Sequence, residues 1–454
     1  MTRTGPNYPS AFLHPFSHLP TLEQSGPLII DHGEGVYVVD DRGRRYLEGN
    51  SGLWNAVLGL DNPRLIEAAQ RAYAKLPAYH AFFGRVTQPA LELAERLTRL
   101  APMEANRVFF TNSGSEANDT VVKMLWMLAE AEGKPQRKLL LSRRNAYHGV
   151  TVMTASLTGK DYVKAFGLPL EHVHFLTCPH HWREGQPNES EEAFSARLAD
   201  ELDAAIRRLG ADTVAGFFAE PVMGAGGVIP PPKGYFQGIQ EVLTRHGVPL
   251  IADEVICGFG RTGALWGSTK YGIKPDVVVA SKVITAGFFP MGAVILSPGM
   301  TERIEKASRS HEEFPHGFTT GAHPVGCAIA MAALDQILDG GVLQNVKTVA
   351  PGFQRHLMEA GAHPMIGEAR GVGLMGALEI VADKSSKLPF AADLGVSERV
   401  AIEALKNGLI VRPIGAAVII APPFIINPGE IEELFSILGR TLDAVHAAVK
   451  AKAA

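Results

Sequence analysis

The sequence PLIADEVICGFGRTG at residues 249–263, followed by PDVVVASKVITAGFFPMG at residues 275–292, contains two short apolar segments rich in Val and Ile. Each segment lies between turn residues, so the pattern predicts two buried β-strands. Asp253 interrupts the first apolar segment, and Lys282 stands where the second one ends. Because an unpaired charge is costly to bury, ionisable groups at these places need a partner or a chemical purpose.

Similar short apolar segments occur before and after this stretch, at residues 107–111, 138–142, 213–220 and 292–297. Helical patterns near residues 119–130, 194–209 and 234–246 lie between them. This alternation predicts an α/β fold in which a mostly parallel central sheet is covered by helices on both faces. We place this large domain at residues 60–330, and it begins with amphipathic helices at 63–76 and 88–100.

The remaining sequence predicts a smaller α+β domain built from both termini, residues 1–59 and 331–454. The segment VYVVDDRGRRYLEG (36–49) alternates around Asp-Arg-Gly and predicts a β-hairpin. Residues 1–26 are mixed and Pro-rich, which favours an arm lying on another surface. After residue 331, long helical patterns surround strand segments such as GVGLMGALEI (371–380). Asn427, Pro428 and Glu430 form a helix-start signature for the last helix.

Composition narrows the functional classes. The chain has 454 residues, of which 46% are hydrophobic and 20% charged, values typical of a globular enzyme. The net charge of -4, without a basic block, argues against nucleic acid as a partner. No apolar run approaches the roughly 20 residues of a membrane span, and the N-terminus lacks a signal-peptide pattern. We therefore expect no membrane association and a cytoplasmic location.

The cysteines also favour a cytoplasmic location. Cys178, Cys257 and Cys327 are widely spaced and odd in number, so no disulfide framework is implied, which fits a reducing compartment. The segment Cys178-Pro-His180-His181 could suggest a metal, but its spacing matches no standard zinc pattern. We expect no metal site.

The segment TNSGSEAN (111–118) joins a predicted strand to a predicted helix. Gly114 lets the backbone approach a ligand, and Ser113 and Ser115 offer hydroxyl groups. Since a helix start also presents free N–H groups, the segment suits a phosphate dianion. The alternative is an ordinary capped helix, for which such residues are common.

Tyr147-His148-Gly149 follows the predicted strand at 138–142. The Tyr147 ring could stack on a flat heterocycle, and His148 could hydrogen-bond a buried carboxylate such as Asp253. Ordinary packing is the alternative for such a pair.

Asp253 and Lys282 are more informative together. Desolvation lowers the pKa of a buried lysine, so its free amine can form a Schiff base with an aldehyde cofactor. A carboxylate that faces a pyridine nitrogen keeps that ring protonated, which makes it an electron sink. The alternative is a structural Asp–Lys ion pair.

The segment GFGRTG (258–263) matches the dinucleotide fingerprint G-x-G-x-x-G and would favour a nicotinamide-dependent oxidoreductase. An acidic pair lies within the preceding strand, however, and the residues that follow lack the periodicity of the required helix. We therefore interpret the segment as a glycine-rich loop that shapes a pocket. No G-x-S-x-G elbow or nucleophilic cysteine signature is present.

These motifs together resemble the class III, pyridoxal-phosphate-dependent aminotransferases, the group that includes the ω-transaminases. The similarity covers essentially the whole chain. The motifs stand in the family's order: TNSGSEAN, YHG, EPVMGAGG, DEVICGFGRTG, SKVITAGFFPMGAV and HGFT followed by HP. The segments GLW (52–54), EPVMGAGGV and DEVICGFGRTG are similar to the amine:pyruvate branch in particular. The resemblance implies a fold type I homodimer or tetramer with its active site at the subunit interface.

The resemblance also implies roles for individual residues. Lys282 would be the Schiff-base lysine that then transfers the proton, and Asp253 would pair with the pyridine nitrogen. The remaining cofactor contacts that it implies are ring stacking by Tyr147 with His148 beside it, packing by Val255, phosphate binding by Gly114 and Ser115, a phosphate contact by Thr319 from the neighbouring subunit, and support by Glu220.

Substrate contacts follow in the same way. The positions that match the two substrate pockets of the family are Trp54, Phe82 or Phe83, Tyr147, Ala225 and Ile256. Arg412 matches a mobile arginine that binds the carboxylate of a keto acid and moves aside for an uncharged amine. Arginine is suited to bidentate carboxylate recognition, and a structural salt bridge is its alternative role.

The activity that the resemblance implies is transfer of an amino group from an amine or ω-amino acid to a keto acid, most simply pyruvate, by a ping-pong mechanism through an internal aldimine. An aminomutase, a racemase or a decarboxylating transaminase on the same scaffold is the nearest alternative. A non-catalytic cofactor-binding regulator is disfavoured, because Lys282, Asp253 and the phosphate segment are all present.

Two departures from the family pattern stand out. Gly321-Ala322 replaces the Ser-Gly that many relatives carry, and Ala286-Gly287 stands where many carry two glycines. We expect the first to alter the local turn. Phe288 and Phe289 add bulk near the second, where they could shift which substrates fit.

Overall fold

The computed structural model describes residues 11–310 and 312–453. The predicted N-terminal arm falls partly outside these residues, and its described part contains the short helix α1 (Leu19–Ser25). The strands, in chain order, are β1 (Ile30–Glu34), β2 (Tyr37–Asp40), β3 (Arg45–Glu48), β4 (Arg107–Thr111), β5 (Leu139–Arg143), β6 (Val173–Leu176), β7 (Val214–Ala219), β8 (Leu250–Asp253), β9 (Val277–Ala280), β10 (Gly292–Leu296), β11 (Ile366–Val372), β12 (Met375–Ile380), β13 (Leu409–Ile410), β14 (Arg412–Ile414) and β15 (Ala417–Ile420).

The other helices surround these strands. They are α2 (Ser51–Trp54), α3 (Pro63–Lys75), α4 (Gln88–Leu100), α5 (Gly114–Ala131), α6 (Val152–Leu157), α7 (His181–Glu184), α8 (Glu191–Leu209), α9 (Tyr235–His246), α10 (Gly267–Tyr271), α11 (Pro298–Ser310), α12 (Pro324–Leu338), α13 (Val342–Ala360), α14 (Val396–Lys406) and α15 (Pro428–Ala453). Short 3-10 turns occupy Asp161–Phe166, Gly258–Gly260, Lys282–Thr285 and Ala392–Leu394.

A seven-stranded sheet forms the centre, in the order β4-β10-β9-β8-β7-β5-β6. The pairs β5–β6, β5–β7, β7–β8 and β8–β9 are parallel, whereas β10 runs antiparallel to both of its neighbours. The prediction of a mostly parallel sheet is therefore confirmed. Strand β6 was not predicted, because its four residues VHFL form too short an apolar run.

One strand boundary was predicted wrongly. Strand β8 ends at Asp253, whereas the apolar pattern extended it to Ile256. The chain turns there because the Oδ1 atom of Asp253 accepts a hydrogen bond from the backbone N–H of Val255, over 3.1 Å. The side chain that interrupts the apolar pattern is thus also the one that ends the strand.

Two four-stranded sheets lie outside the central sheet. The predicted hairpin is confirmed as β2 and β3, and β13 adds to it in parallel, so that the sheet β1-β2-β3-β13 joins both ends of the chain. The second sheet has the order β11-β12-β15-β14 and is antiparallel. The segment predicted as one strand at 371–380 is a hairpin of β11 and β12 that turns at Gly373, whose φ is 58°. The domain boundaries near residues 60 and 330 stay a prediction.

Helix starts and faces agree with the sequence pattern. Asn427 and Glu430 exchange reciprocal hydrogen bonds of 2.8 and 3.0 Å at the start of α15, which confirms the predicted signature. Leu93 and Leu97 of α4 are fully buried. Among the described residues no single helix is long and apolar enough to cross a membrane. Helices α12 and α13, which are bent relative to each other by 54°, reach that length and composition only when taken together.

The segment GFGRTG is a buried loop. Phe259 has a φ of 65°, and the helix that follows, α10, has only five residues. The guanidinium of Arg261 is fully buried and donates to the carbonyl oxygens of Leu374 and Pro422. The segment therefore lacks the long helix that dinucleotide binding requires.

Glu48, at the end of β3, is a buried acid whose protonation should affect stability. Its Oε1 atom accepts the backbone N–H of Asn50 over 2.9 Å, and burial raises the pKa of its carboxyl to about 7. Since the folded state then binds the proton more tightly than the unfolded chain, this contribution is full below the ordinary carboxyl pKa and is lost as pH rises through about 7.

Glu48→Gln keeps an acceptor oxygen but cannot ionise. We expect the free energy of unfolding of the variant, relative to the parent, to rise by on the order of 2 kcal/mol between pH 5 and pH 8. Denaturant unfolding at both pH values measures this, with the exposed Glu23→Gln as control. Parallel pH profiles for Glu48→Gln and the parent would contradict the assignment.

Candidate active site

The residues that the sequence singled out meet at one edge of the central sheet. Asp253 is the last residue of β8, Glu220 follows β7, Tyr147 and His148 follow β5, and Lys282 lies just beyond β9. These four strands are mutually parallel, so their carboxyl ends share an edge. In open α/β sheets this edge is where ligands bind.

A cavity of about 200 Å³ opens at this edge. It is lined by ten residues that the sequence singled out for ligand binding, together with Gly149 and Ser281. Its lining consists of Ser113, Gly114, Ser115, Tyr147, His148, Gly149, Glu220, Asp253, Val255, Ile256, Ser281 and Lys282.

The carboxylate of Asp253 is fixed by three donors. Its Oδ2 atom lies 2.7 Å from Nδ1 of His148 and accepts the side-chain amide of Asn118 over 2.8 Å, while Oδ1 accepts the N–H of Val255. The predicted His148–Asp253 contact is confirmed. Asn118 was missed, although it ends the TNSGSEAN segment and lies one helical turn beyond Gly114.

Lys282 faces the same cavity in a strained backbone conformation, with a φ of 48°. Burial lowers the pKa of its amine, and the nearby carboxylates of Asp253 and Glu220 act in the opposite direction. Asp253 contacts His148 over 2.7 Å, and within the described chain it forms no ion pair with Lys282, so the alternative of a structural Asp–Lys pair is not supported. A lowered pKa leaves more of the amine in its reactive, neutral form.

The start of α5 forms an anion cradle in the lining of the same cavity. The Ser113 hydroxyl caps the helix by accepting the N–H of Glu116 over 3.1 Å. The first-turn N–H groups of a helix have no partner within it, which leaves those of Gly114 and Ser115 for a ligand. A Cβ at Gly114 would lie 2.8 Å from a methyl group of Val255, so only glycine leaves this space open.

Glu220 positions its neighbours. Its side chain is 3% exposed, and its two oxygens accept the N–H groups of Tyr147 (3.1 Å) and Gly224 (2.9 Å). Burial raises the pKa of this carboxyl. Glu220 therefore connects Tyr147 to the GAGG loop, residues 224–227.

Arg412, the first residue of β14, approaches the cavity at Tyr147. Burial lowers the pKa of its guanidinium, while Tyr147 and Tyr162 act in the opposite direction. Lys160 lies in the same region, where burial lowers the pKa of its amine and Arg412 lowers it further. The rings of Phe16 and Tyr162 pack edge to face with their centroids 5.6 Å apart. Sequence reasoning missed Lys160, Tyr162 and Phe16, since none belongs to a motif.

The remaining residues predicted to bind substrate or cofactor lie away from the cavity lining. Trp54 is 1% exposed and shares an apolar cluster with Ile256, and Ala225 is buried next to Gly224. Phe82 lines a separate depression beside Gly317. Phe83 is 84% exposed, and Thr319 is also exposed.

The histidines of the segment Cys178-Pro-His180-His181 form hydrogen bonds with protein groups. Nε2 of His180 lies 2.8 Å from a carboxylate oxygen of Glu368, and Nε2 of His181 lies 2.7 Å from the carbonyl oxygen of Glu189. Across the described ranges, no group of three or more His, Cys, Asp or Glu side chains could hold a metal ion.

The family profile described as "Aminotransferase class-III" matches residues 21–442. The chain belongs to the class III aminotransferases. Its fold is therefore that of the fold type I PLP-dependent transferases, its cofactor is pyridoxal 5'-phosphate, and its substrates are an amine and a keto acid.

Solved relatives and curated relatives support this assignment. The PMP-bound aminotransferase from Vibrio fluvialis is 55% identical, with a TM-score of 0.95 over 96% of this chain and 97% of that chain. An ω-aminotransferase from Paracoccus denitrificans is 54% identical, with a TM-score of 0.96 over 97% and 98%. A probable mitochondrial γ-aminobutyrate transaminase 3 from Oryza sativa subsp. indica is 44% identical over 94% of this chain and 84% of its own length.

The cavity fits this cofactor. It offers a fixed carboxylate for a pyridine nitrogen (Asp253), an amine of lowered pKa for an aldehyde (Lys282), and a helix start with a glycine for a phosphate (Gly114). Each group is the chemical complement of one part of pyridoxal phosphate.

Gly114→Ala tests the cradle. The added methyl group would meet Val255 at 2.8 Å, and overpacking of this kind typically costs about 1–3 kcal/mol. We therefore expect the Kd for pyridoxal phosphate to rise roughly 10- to 100-fold, measured by titrating the cofactor-stripped protein in the visible range. Gly299→Ala, whose Cβ meets nothing within 4 Å, is the matched control. Equal affinities for the two variants would exclude this cradle.

Proposed function

We propose that the protein is an ω-transaminase that moves an amino group from an amine or an ω-amino acid to a keto acid, with pyruvate as acceptor, in a ping-pong reaction. The observation that carries the proposal is the convergence of Lys282, Asp253 and the Gly114 helix start in one cavity. Relatives named ω-aminotransferase and γ-aminobutyrate transaminase support the donor class.

The residues that would hold the cofactor follow from the chemistry of the lining. Lys282 would bind the aldehyde carbon, Asp253 the pyridine nitrogen, and Gly114 and Ser115 the phosphate. When bound, pyridoxal phosphate supplies an electron sink that acidifies the carbon bearing the amino group. Tyr147, with Val255 on the other side, would hold the ring in place.

Lys282 would also transfer the proton of the carbon that bears the amino group. Its amine faces the cavity, and burial lowers its pKa toward the range in which a lysine acts as a general base. His148 and Asn118 would hold the carboxylate of Asp253 in its orientation, because both contact its Oδ2 atom.

Arg412 would bind the carboxylate of the keto acid. Its guanidinium is partly buried beside Tyr147 and has no ion-pair partner within the described chain, so it is available for an anionic substrate. Burial strengthens such a contact, because water competes less for the charge. Trp54, Ala225 and Ile256 would shape the pocket for the remainder of each substrate.

The proposed assembly is a homodimer or tetramer whose active site is shared between subunits. Thr319, Phe82 and Phe83 match site positions of the family but lie away from the cavity of their own chain, and Phe83 is 84% exposed. A second subunit could bring them to the site, and exposed apolar side chains of this kind are common at interfaces. A cytoplasmic location is also part of the proposal, supported by three free cysteines.

The visible spectrum tests the proposed reaction. Addition of 1-phenylethylamine should bleach the absorption band of the bound cofactor, and pyruvate should restore it. In Lys282→Ala both changes should slow by at least roughly 10³-fold, because a positioned acid–base group is lost. The exposed Lys270→Ala is the control. Full activity of Lys282→Ala would refute the assignment, and restoration by 2-oxoglutarate but not by pyruvate would correct the acceptor.

Arg412→Ala tests carboxylate recognition. We expect kcat/KM for pyruvate to fall roughly 10- to 100-fold, since a charge-assisted hydrogen bond is lost, while the half-reaction with 1-phenylethylamine changes less than about threefold. Arg412→Lys keeps the charge without the planar fork and should recover part of the loss. Equal losses in the two half-reactions would count against the role.

A further inference from the structure

Arg370 of β11 makes an unusual set of contacts with the GAGG loop, residues 224–227. Its Nε atom donates to the carbonyl oxygens of Gly227 and Val228, both over 3.0 Å, and its Nη2 atom donates to Gly227 over 2.7 Å. The side chain is 7% exposed. The guanidinium thus binds the backbone of the loop from the side of the C-terminal sheet.

Two carboxylates hold this guanidinium in place. Nη1 donates to Glu368 over 2.7 Å, and Nη2 lies 2.8 Å from Glu379. Glu379 also pairs with Arg183 over 2.9 Å. The guanidinium of Arg183 donates its other hydrogen bond to the carbonyl oxygen of Lys387 and does not contact the loop. Because a guanidinium presents its donors in a rigid fork, these contacts define its orientation.

The loop itself requires such support. Gly227 and Val228 have φ values of 114° and 48°, and the second is costly for a β-branched residue. The Gly224 N–H also donates to Glu220, and the Asn145 side chain donates to the carbonyl oxygen of Gly226 over 2.7 Å. Backbone hydrogen bonds between Met223 and Ile229 close the loop at its base. Backbone strain persists only where the surroundings hold it.

The loop also contributes to the site. A Cβ at Gly224 would lie 2.5 Å from Ile256, which lines the cavity, and Ala225 follows directly. Arg370 and Arg412 belong to the same sheet, on β11 and β14. The contacts of Arg370 therefore connect the loop to the sheet that carries the carboxylate-binding arginine.

We propose that Arg370 is a positioning residue that holds the GAGG loop against the C-terminal sheet and so sets the shape of the substrate pocket at Ala225 and Ile256. The part about the pocket rests on the proposed function, whereas the part about the loop does not. A loop that is released must be ordered again when a bulky substrate fills the pocket, and this ordering cost appears in KM.

Hydrogen–deuterium exchange on the holoenzyme tests the contact with the loop. In Arg370→Lys, which keeps Glu368 and Glu379 paired with a cation, the amides of residues 223–229 should exchange roughly tenfold faster. Arg183→Lys is the matched control, because it perturbs Glu379 without touching the loop, and it should leave these amides unchanged. Equal exchange in the two variants would overturn the proposal.

Kinetics test the consequence for the pocket. For Arg370→Lys we expect KM for 1-phenylethylamine to rise roughly tenfold, with kcat and the KM for isopropylamine within about threefold of the parent. Uniform loss with both amines, or the same pattern in Arg183→Lys, would overturn the pocket role. If neither amine is a substrate, the proposed function fails while the exchange result still decides whether Arg370 holds the loop.

A second variant covers the case in which Arg370→Lys does not fold. Glu368→Gln leaves the guanidinium in place but removes one of its charged partners, so exchange at residues 223–229 should be faster than in the parent and in Arg183→Lys. Exchange no faster than in Arg183→Lys would then overturn the proposal.

Discussion

The site depends on one buried carboxylate. Asp253 is 3% exposed, and an ionised group at that depth is tolerable only when its oxygens are hydrogen-bonded. His148 and Asn118 supply those bonds from two different elements, the loop after β5 and helix α5, and the N–H of Val255 supplies a third. Satisfying this charge therefore brings the anion cradle of α5 and the aromatic residue Tyr147 to the end of β8. The same side chain ends the strand, so one residue links the sheet edge to the chemistry.

The sequence predicted this part of the molecule well, because each signal was local. The apolar segments fixed the strands of the central sheet, and parallel strands place their carboxyl ends at one edge. Apart from the contact between His148 and Asp253, the sequence did not predict contacts between distant segments. Lys160 and Tyr162 belong to no motif, the contact of Asn118 with Asp253 joins residues 135 positions apart, and β6 was too short to be recognised from its pattern. The end of β8 was predicted three residues too late, since apolar character continues after the chain has turned.

Three non-glycine residues in or near the family motifs have a left-handed backbone. Lys282 and Ala286 have φ values of 48° and 50°, and Ala322 has a φ of 58°. Ala286 and Ala322 are also the positions at which the sequence departs from the glycines of the family pattern. A non-glycine residue in the left-handed region costs roughly 1–2 kcal/mol, so the surrounding core must enforce these turns. At position 321 a Cβ would lie 2.9 Å from the carbonyl oxygen of Phe110, so Gly321 leaves room for that oxygen; nothing in the structure explains the alanine at position 322.

Two buried arginines, Arg261 and Arg370, join the C-terminal segment to the site through hydrogen bonds from their guanidinium groups to backbone carbonyl oxygens. Arg261 donates to the carbonyl oxygens of Leu374 and Pro422 and to the Ser51 hydroxyl, beside the turn that leads to Trp54. Arg370 does the same for the GAGG loop. A guanidinium presents several donors in a fixed plane, so one side chain can satisfy carbonyl groups from separate segments that would otherwise be buried without partners. The segment GFGRTG matches a nucleotide fingerprint by its glycines, but its structural role is to place Arg261 where it can bond these separate segments. The glycines allow a tight buried loop, and the charge at its centre ties three segments of the chain together.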